Sequence, residues 1–230
     1  FMLDSDDLLL PESIKYRVDV LRQNDQLGFV FCDGVRFSEN GDYDHTFLSQ
    51  HDYFNEMIPQ KKAKEIVTVS AVEAFRTLAK GDFILPSGLA MHKYVFDVVG
   101  IYDESVTNGQ DLDMSLRITK KFPIAYINFI GFKQRVHVNS ISMKGHTLAY
   151  NRLELLEKHL DLSDDLIARK AFKNKIAINH SIIGSHFQEA AQFSKARHHF
   201  RISLSYVFNF TVFKRFLLTF LGTKVYKFFK

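Results

Sequence analysis

A chain of 230 residues, 46% of them hydrophobic, can bury one large core or a domain with an appendage, which excludes a disordered protein. Its single cysteine, Cys32, excludes an internal disulfide framework and reads as a buried reduced thiol within the apolar run LGFVFCD. The formal net charge of +4 hides an asymmetry: residues 166–230 carry 12 Lys or Arg against the single acid Glu189, whereas residues 1–165 carry 18 against 25. Such a change of sign suggests a boundary near residues 150–165 and a partner with an acidic surface for the C-terminal part.

The chain opens FMLDSDDLLLPESI, with Asp4, Asp6 and Asp7 behind a short apolar run. Three carboxylates so close together repel one another unless a cation or a helix N-terminus absorbs the charge. Pro11 and Glu12 then predict a helix whose apolar positions are Ile14, Val18 and Leu21. LGFVFC predicts a buried strand. Residues 36–64 are polar, with an Asn40-Gly41 turn, and predict a long irregular excursion outside the core. Ser70 and Glu73 form a capping-box pattern for a helix over 71–80, closed by Gly81. FILPSGLAM predicts a strand with a Pro-Ser-Gly interruption, and HKYVFDVV a short helix stopped by Gly100. GQDLDMSLRITKKF predicts a helix with acids at its start and bases at its end, and PIAYINFIGFKQRVHV two strand-like runs. Strands alternating with helices indicate an α/β layer architecture.

Beyond Asn151 only helices are expected. Gly184, Phe187, Phe193, Ala196, Phe200 and Ser203 have the spacing of one tetratricopeptide-like helical pair, with no second copy. The longest apolar stretches, VFNFTVF and FLLTFL, are broken by Lys214 and Arg215 and fall short of the roughly 18 to 20 residues that cross a bilayer. With no basic leader before the opening apolar run, the sequence reads as cytoplasmic.

Several constellations could carry chemistry. In LDSDD, Pro11 starts the next helix too late for the acids to cap it. A calcium loop of the EF-hand type fails as well, with Leu8 at its third ligand position and Leu9 in place of the required glycine. A divalent site of hard oxygen ligands for Mg²⁺ or Mn²⁺ fits better. Asp111 and Asp113 lie about 200° apart around a helix axis, so one should face a site while the other caps or pairs, as with Arg117. Arg135 and His137 alternate onto one strand face, near Asn139, Ser140 and Ser142, as if to aim a guanidinium and an imidazole at a phosphate or metal.

Taken together, FMLDSDD, VFDVVGIYDESVTNGQDLDMSLRI and KQRVHVNSIS closely resemble the family 2 glycosyltransferases of the GT-A fold. In those, an apolar strand ends in Asp-x-Asp-Asp, a Gly-aromatic-Asp-Glu loop and an acidic Asp-x-Asp-Leu-x-Leu-Arg helix follow, and an Arg-x-His segment comes last. The resemblance covers residues 1 to about 143. It implies a partial GT-A mixed sheet over residues 1–150, lacking the nucleotide-binding N-terminal half, and a basic helical extension over 151–230. The chain is then expected to be a fragment of a longer enzyme, and poorly active alone.

The resemblance further implies that Asp4 and Asp6 bind a nucleotide-diphospho-sugar and its Mg²⁺ or Mn²⁺, with Asp6 the direct ligand, and that Arg135 and His137 steady the diphosphate or metal. Asp111 would be the general base of an inverting transfer to a glycan or lipid-linked acceptor, whose side Ser87, Gly88, Asp103, Glu104 and Gln110 would line. Gln110 stands where the family usually has an acid. Two alternatives stay open: a phosphatase of the haloacid dehalogenase type with Asp4 as nucleophile, in which Leu8 replaces the usual small hydroxyl residue, and a non-catalytic docking module. Residues 213–230 mix five Lys or Arg with six Phe or Tyr, which suits peripheral contact with an anionic membrane at its inner face as well as packing on the preceding helices. No recognition motif for nucleic acid accompanies the charge.

Overall fold

The computed structural model describes residues 1–59, 62–106, 108–137 and 145–221. The chain divides into two compact units, Phe1–Ser105 with Gly109–Asn139, and Val106–Asn108 with Ser140–Lys230. The first is a curled, mixed sheet with helices, and helices alone are described in the second.

The sheet is organised by two long strands, β2 (Phe29–Ser38) and β6 (Ile124–Arg135), which run parallel with a register irregularity around Asp33. The free edge of β6 pairs antiparallel with β4 (Ile66–Val69) along its first part and with β1 (Leu8–Leu9) along its last. The free edge of β2 does the same with β5 (Leu89–Ala90) and then β3 (Gly41–Thr46). Because β2 is central, both faces must be apolar, and LGFVFC supplies them. Phe29 and Phe31 project into an aromatic cluster with Phe54, Phe83 and Tyr126, all almost wholly buried. Val30 on the opposite face packs with Val20, Leu21, Leu27, Ala90 and Ile127.

Five helices belong to this unit: α1 (Ser13–Gln23), α2 (Asp52–Met57), α3 (Ala71–Lys80), α4 (Tyr94–Val99) and α5 (Gln110–Thr119). α3 starts where the capping pattern requires, with the Ser70 side chain accepting from the Glu73 N–H, and α4 ends at Gly100 in a left-handed conformation.

Four local expectations need correction. Ile14 is 51% exposed, and α1 instead buries Ser13, Arg17, Val20 and Leu21, because the Arg17 guanidinium finds acceptors beneath the helix. Residues 36–64 are no excursion: β2 and β3 close a hairpin at Glu39-Asn40, and Phe47, Leu48, Phe54 and Ile58 enter the core. The stretch before Pro86 forms no strand, since Pro86–Gly88 makes a 3₁₀ turn and only Leu89 and Ala90 pair with β2. PIAYINFIGFKQR is one continuous strand rather than two, stitched on both edges.

The second unit contains α6 (Gly145–Asn151), α7 (Leu153–Asp161), α8 (Leu166–Glu189), α9 (Phe193–Tyr206) and α10 (Phe210–Leu218). α8 buries Ala168, Phe172, Ile176, His180, Ile183 and Gly184 at helical spacing. Gly184 permits close approach to α9, since a Cβ there would lie 2.7 Å from the Phe200 ring. Ala196, Phe200 and Val212 are buried between α9 and α10. Among the described residues no helix is long and apolar enough to cross a membrane. Residues 222–230 of the basic-aromatic tail lie outside the described residues.

Nδ1 of His180 lies 2.9 Å from Nδ1 of His199, so one ring must donate and the other accept, which requires the accepting ring to be neutral. Burial, then the neighbouring His199 and His198, pushes His180 down to about 4, and burial lowers His199 as well. Below the ordinary value of 6.5 the unfolded chain binds protons that the folded pair refuses, so stability falls as pH drops from 6.5 towards 4. We expect the urea midpoint of the wild type to fall over that window and the fall to be clearly smaller in His180→Leu; equal slopes would exclude the pair as the titrating element.

Candidate functional site

The opening acids do not end a strand. Residues 1–4 form none, and the two-residue β1 comes after the acids. What holds the acids is a turn, with the Asp7 N–H donating to the Asp4 carbonyl at 3.1 Å, and a set of cross-chain bonds. The Asp4 N–H donates to Ser87 Oγ at 3.1 Å, and Ser87 Oγ donates to Asp7 Oδ2 at 2.6 Å. Asp7 Oδ1 accepts from the Arg135 N–H at 3.0 Å. Asp7 is 7% exposed, and burial raises its carboxyl above the ordinary range, opposed by its bonds to Ser87 and Arg135. It is the structural member of the three acids.

Asp4 and Asp6 reach the surface. Even so, protein packed around the base of Asp4, and then the charges of Asp7, Asp6 and Asp111, push its carboxyl upward. Asp6 Oδ2 lies 3.5 Å from His137 Nε2, both side chains being nearly half exposed, and Arg135 Nε donates to the Asp6 carbonyl at 3.1 Å. The Arg135 guanidinium lies 4.5 Å from the centre of the Phe37 ring, which steers it along the sheet edge.

Ser87 is presented by the Pro86–Gly88 turn, which is fixed from below by Arg17. Arg17 is wholly buried and donates to Ser87 O, Leu89 O, Ser13 O and Ser13 Oγ. Its guanidinium also faces the Phe1 ring at 4.8 Å. Gly88 is obligatory by space: a Cβ would stand 2.7 Å from the Phe132 ring and 2.9 Å from the Cys32 carbonyl. The Cys32 thiol contacts the Gly88 carbonyl at 3.5 Å and is pushed up to about 12 by burial, so it is an inert core thiol.

On the facing side, Gly109 adopts a left-handed conformation that starts α5 and puts Asp111 in its first turn. Asp111 Oδ1 accepts from the Leu112 N–H at 2.9 Å. Its charge acts on both Asp4 and Tyr102, the latter held at about 12 by burial first and then by Asp111. Asp111, Tyr102 and Asp4 therefore lie within electrostatic reach of one another. Asp113 takes the other role: 1% exposed, it pairs with Arg117 Nε at 2.8 Å. Arg117 also donates to the carbonyls of Val99, Gly100 and Ile101, fixing the loop that leads to Tyr102.

Of the residues expected on the acceptor side, Ser87 and Gly88 belong to this constellation. Asp103 is spent on its own loop, accepting from the Ser105 N–H and hydroxyl at 3.1 and 2.6 Å, while Glu104 and Gln110 are exposed. Asn139, Ser140 and Ser142 lie outside the described residues. One contributor escaped sequence reasoning: Arg17, whose single signal is its spacing four residues after Ser13 and three before Val20 on the core face.

Among the described residues no cluster of three or more His, Cys, Asp or Glu is arranged to hold a metal. The Asp6 and His137 pair offers two ligands, which suits only a cation that draws its remaining oxygens from water and substrate phosphates. No protein-family model matches the chain, and no curated protein matches it in sequence.

The division of labour between Asp7 and Asp6 is testable by denaturation. Asp7→Ala leaves the Ser87 hydroxyl and the Arg135 N–H without their acceptor and should cost about 1–3 kcal/mol. Asp6→Ala, at an exposed ion pair, should change stability by less than about 1 kcal/mol. Equal effects would remove the structural assignment of Asp7.

Proposed function

We propose that the chain is the C-terminal part of the catalytic domain of a family 2, GT-A-type glycosyltransferase, which moves a sugar from a nucleotide-diphospho-sugar to an acceptor hydroxyl with inversion. In this reading the mixed sheet is a partial GT-A sheet and α8 with α9 a tetratricopeptide-like pair. The observation that carries it is the meeting of Arg135 and His137 with Asp6, His137 Nε2 at 3.5 Å from its carboxylate and Arg135 Nε at 3.1 Å from its carbonyl, with Asp111 within electrostatic reach of Asp4: residues of three separated sequence motifs that the resemblance assigns to one reaction.

Asp6 and His137 would hold Mg²⁺ or Mn²⁺, which when bound neutralises negative charge on the departing diphosphate. Arg135 carries a positive charge to the same edge and orients the phosphates by its planar fork. Asp111 takes the proton of the acceptor hydroxyl while the new oxygen–carbon bond forms opposite the breaking bond to the diphosphate, so the anomeric centre inverts. Its value is in placement, since a helix N-terminus favours carboxylate over carboxylic acid. Ser87 and Gly88 form a rigid wall on the acceptor side. The acceptor is a glycan or a lipid-linked saccharide in polysaccharide or glycolipid synthesis, not nucleic acid.

The phosphatase alternative is the weaker one. It would need a small hydroxyl residue where this chain has Leu8.

The test follows nucleoside diphosphate release from a panel of nucleotide-sugars with Mn²⁺. Asp111→Asn should lower turnover by about a hundredfold or more while calorimetric binding of the nucleotide persists. Asp6→Asn should weaken the Mn²⁺-dependent part of that binding. Absence of release from every donor, combined with phosphate release from a phosphate monoester that disappears in Asp4→Asn, would reverse the assignment in favour of the phosphatase.

A further inference from the structure

In the second unit, α9 and α10 enclose a cavity of about 340 Å³ lined by Ser194, Arg197, His198, Arg201, Phe216 and Phe220. The four α9 residues stand at positions i, i+3, i+4 and i+7, so they share one helix face. Two guanidinium groups one turn apart repel each other, and among the described residues neither has a carboxylate partner. Glu189, the single acid of residues 166–230, lines a different cavity with His146 and His186. Arg197 is also held ready: its Nη1 donates to the Thr219 carbonyl at 3.0 Å, and its plane lies 4.9 Å from the centre of the Phe220 ring. One forked cation is thus fixed, a second stands beside it, and a hydroxyl and an imidazole complete a set of donors. That chemistry matches a phosphate.

The surroundings distinguish the source of that phosphate. Phe210 is 72% exposed, Leu217 49%, Phe220 61% and Leu221 50%. Leu217 follows Phe210 by seven residues, and Phe220 and Leu221 follow Leu217 by three and four, which aligns them as one outward apolar stripe along α10 and the residues just after it. Phe220 belongs both to this stripe and to the cavity wall. A soluble phosphate would use the arginines and leave the stripe in water; the headgroup of an anionic lipid would use both, phosphate between the arginines and Leu217 and Phe220 at the level of the acyl boundary.

We propose that Arg197, Arg201, His198 and Ser194 form a binding site for the headgroup phosphate of an anionic phospholipid, with the α10 stripe inserted beside it. This gives residues on α9 a role that the sequence suggested only for the tail, and it stands independently of the transferase reading.

Co-sedimentation of the full chain with phosphatidylcholine vesicles, with and without phosphatidic acid, tests it. The wild type should pellet only with the anionic vesicles. Arg201→Gln, which among the described residues removes no hydrogen bond or ion pair, and Arg197→Gln with Arg201→Gln should lower the vesicle partition, the double variant by at least about tenfold. Leu217→Ser with Phe220→Ser should lower it too, whereas Lys170→Gln with Lys173→Gln, which removes the same charge from α8, should lower it much less. An equal loss in the α8 variant would mean diffuse attraction and overturn the site. Tight binding of glycerol phosphate without vesicles, with vesicle partition unaffected by the stripe variant, would overturn the lipid assignment in favour of a soluble phosphate ligand.

Discussion

The Asp7 carboxylate receives the Ser87 hydroxyl at 2.6 Å and the Arg135 backbone N–H at 3.0 Å, and so joins the start of the chain, the turn before β5 and the end of β6 at one point. A carboxylate taken out of water costs free energy that only such bonds recover, and removing either partner would leave the other buried polar group exposed to the full penalty. The positions of Asp4 and Asp6 follow from this. They lie immediately before Asp7 in a tight turn, so they can only emerge where β6 delivers Arg135 and, two residues later, His137. Arg17 plays the matching part from below, supplying buried donors to the carbonyls of Ser87 and Leu89 and so setting the angle at which Ser87 meets Asp7.

Local rules were sufficient wherever the physics was local. The Ser70 cap, the Gly100 stop and the partition of Asp111 and Asp113 to different sides of α5 are all decided within one or two helical turns, and each is visible in a short window of sequence. Arg17 shows where that ends: an arginine in an amphipathic helix is ordinarily a solvated residue, and its burial depends on carbonyls contributed some seventy positions later. The polar stretch 36–64 misleads for a related reason. Its few apolar residues, Phe47, Leu48, Phe54 and Ile58, are spaced too irregularly to show a period, yet each finds a place in the core once β2 and β3 have paired. The merging of two strand-like runs into β6 likewise depends on partners, β4 and β1, that only the assembled sheet provides. As for the site, that Asp111 lies within electrostatic reach of Asp4 could not be read from spacing; it entered only through the resemblance.

Residues 166–230, from α8 onward, work under a different constraint, an excess of positive charge with Glu189 as their single acid. Their helices are joined by apolar contact and by hydrogen bonds between neutral groups. Ser203 donates its hydroxyl to the Ala177 carbonyl at 2.7 Å, Gln188 reaches the Arg215 carbonyl at 3.2 Å, and the His180–His199 contact joins the same two helices as the fit of Gly184 against Phe200. These contacts between neutral groups are little affected by salt.

Arg117 ties α5 to the loop before Tyr102 through Asp113 and three successive carbonyls. Asp111 and Tyr102 are thereby attached to one rigid block rather than to two independent elements. Loss of the Asp113–Arg117 pair would therefore be felt at Asp111 and at the Tyr102 loop together, although neither residue takes part in that pair.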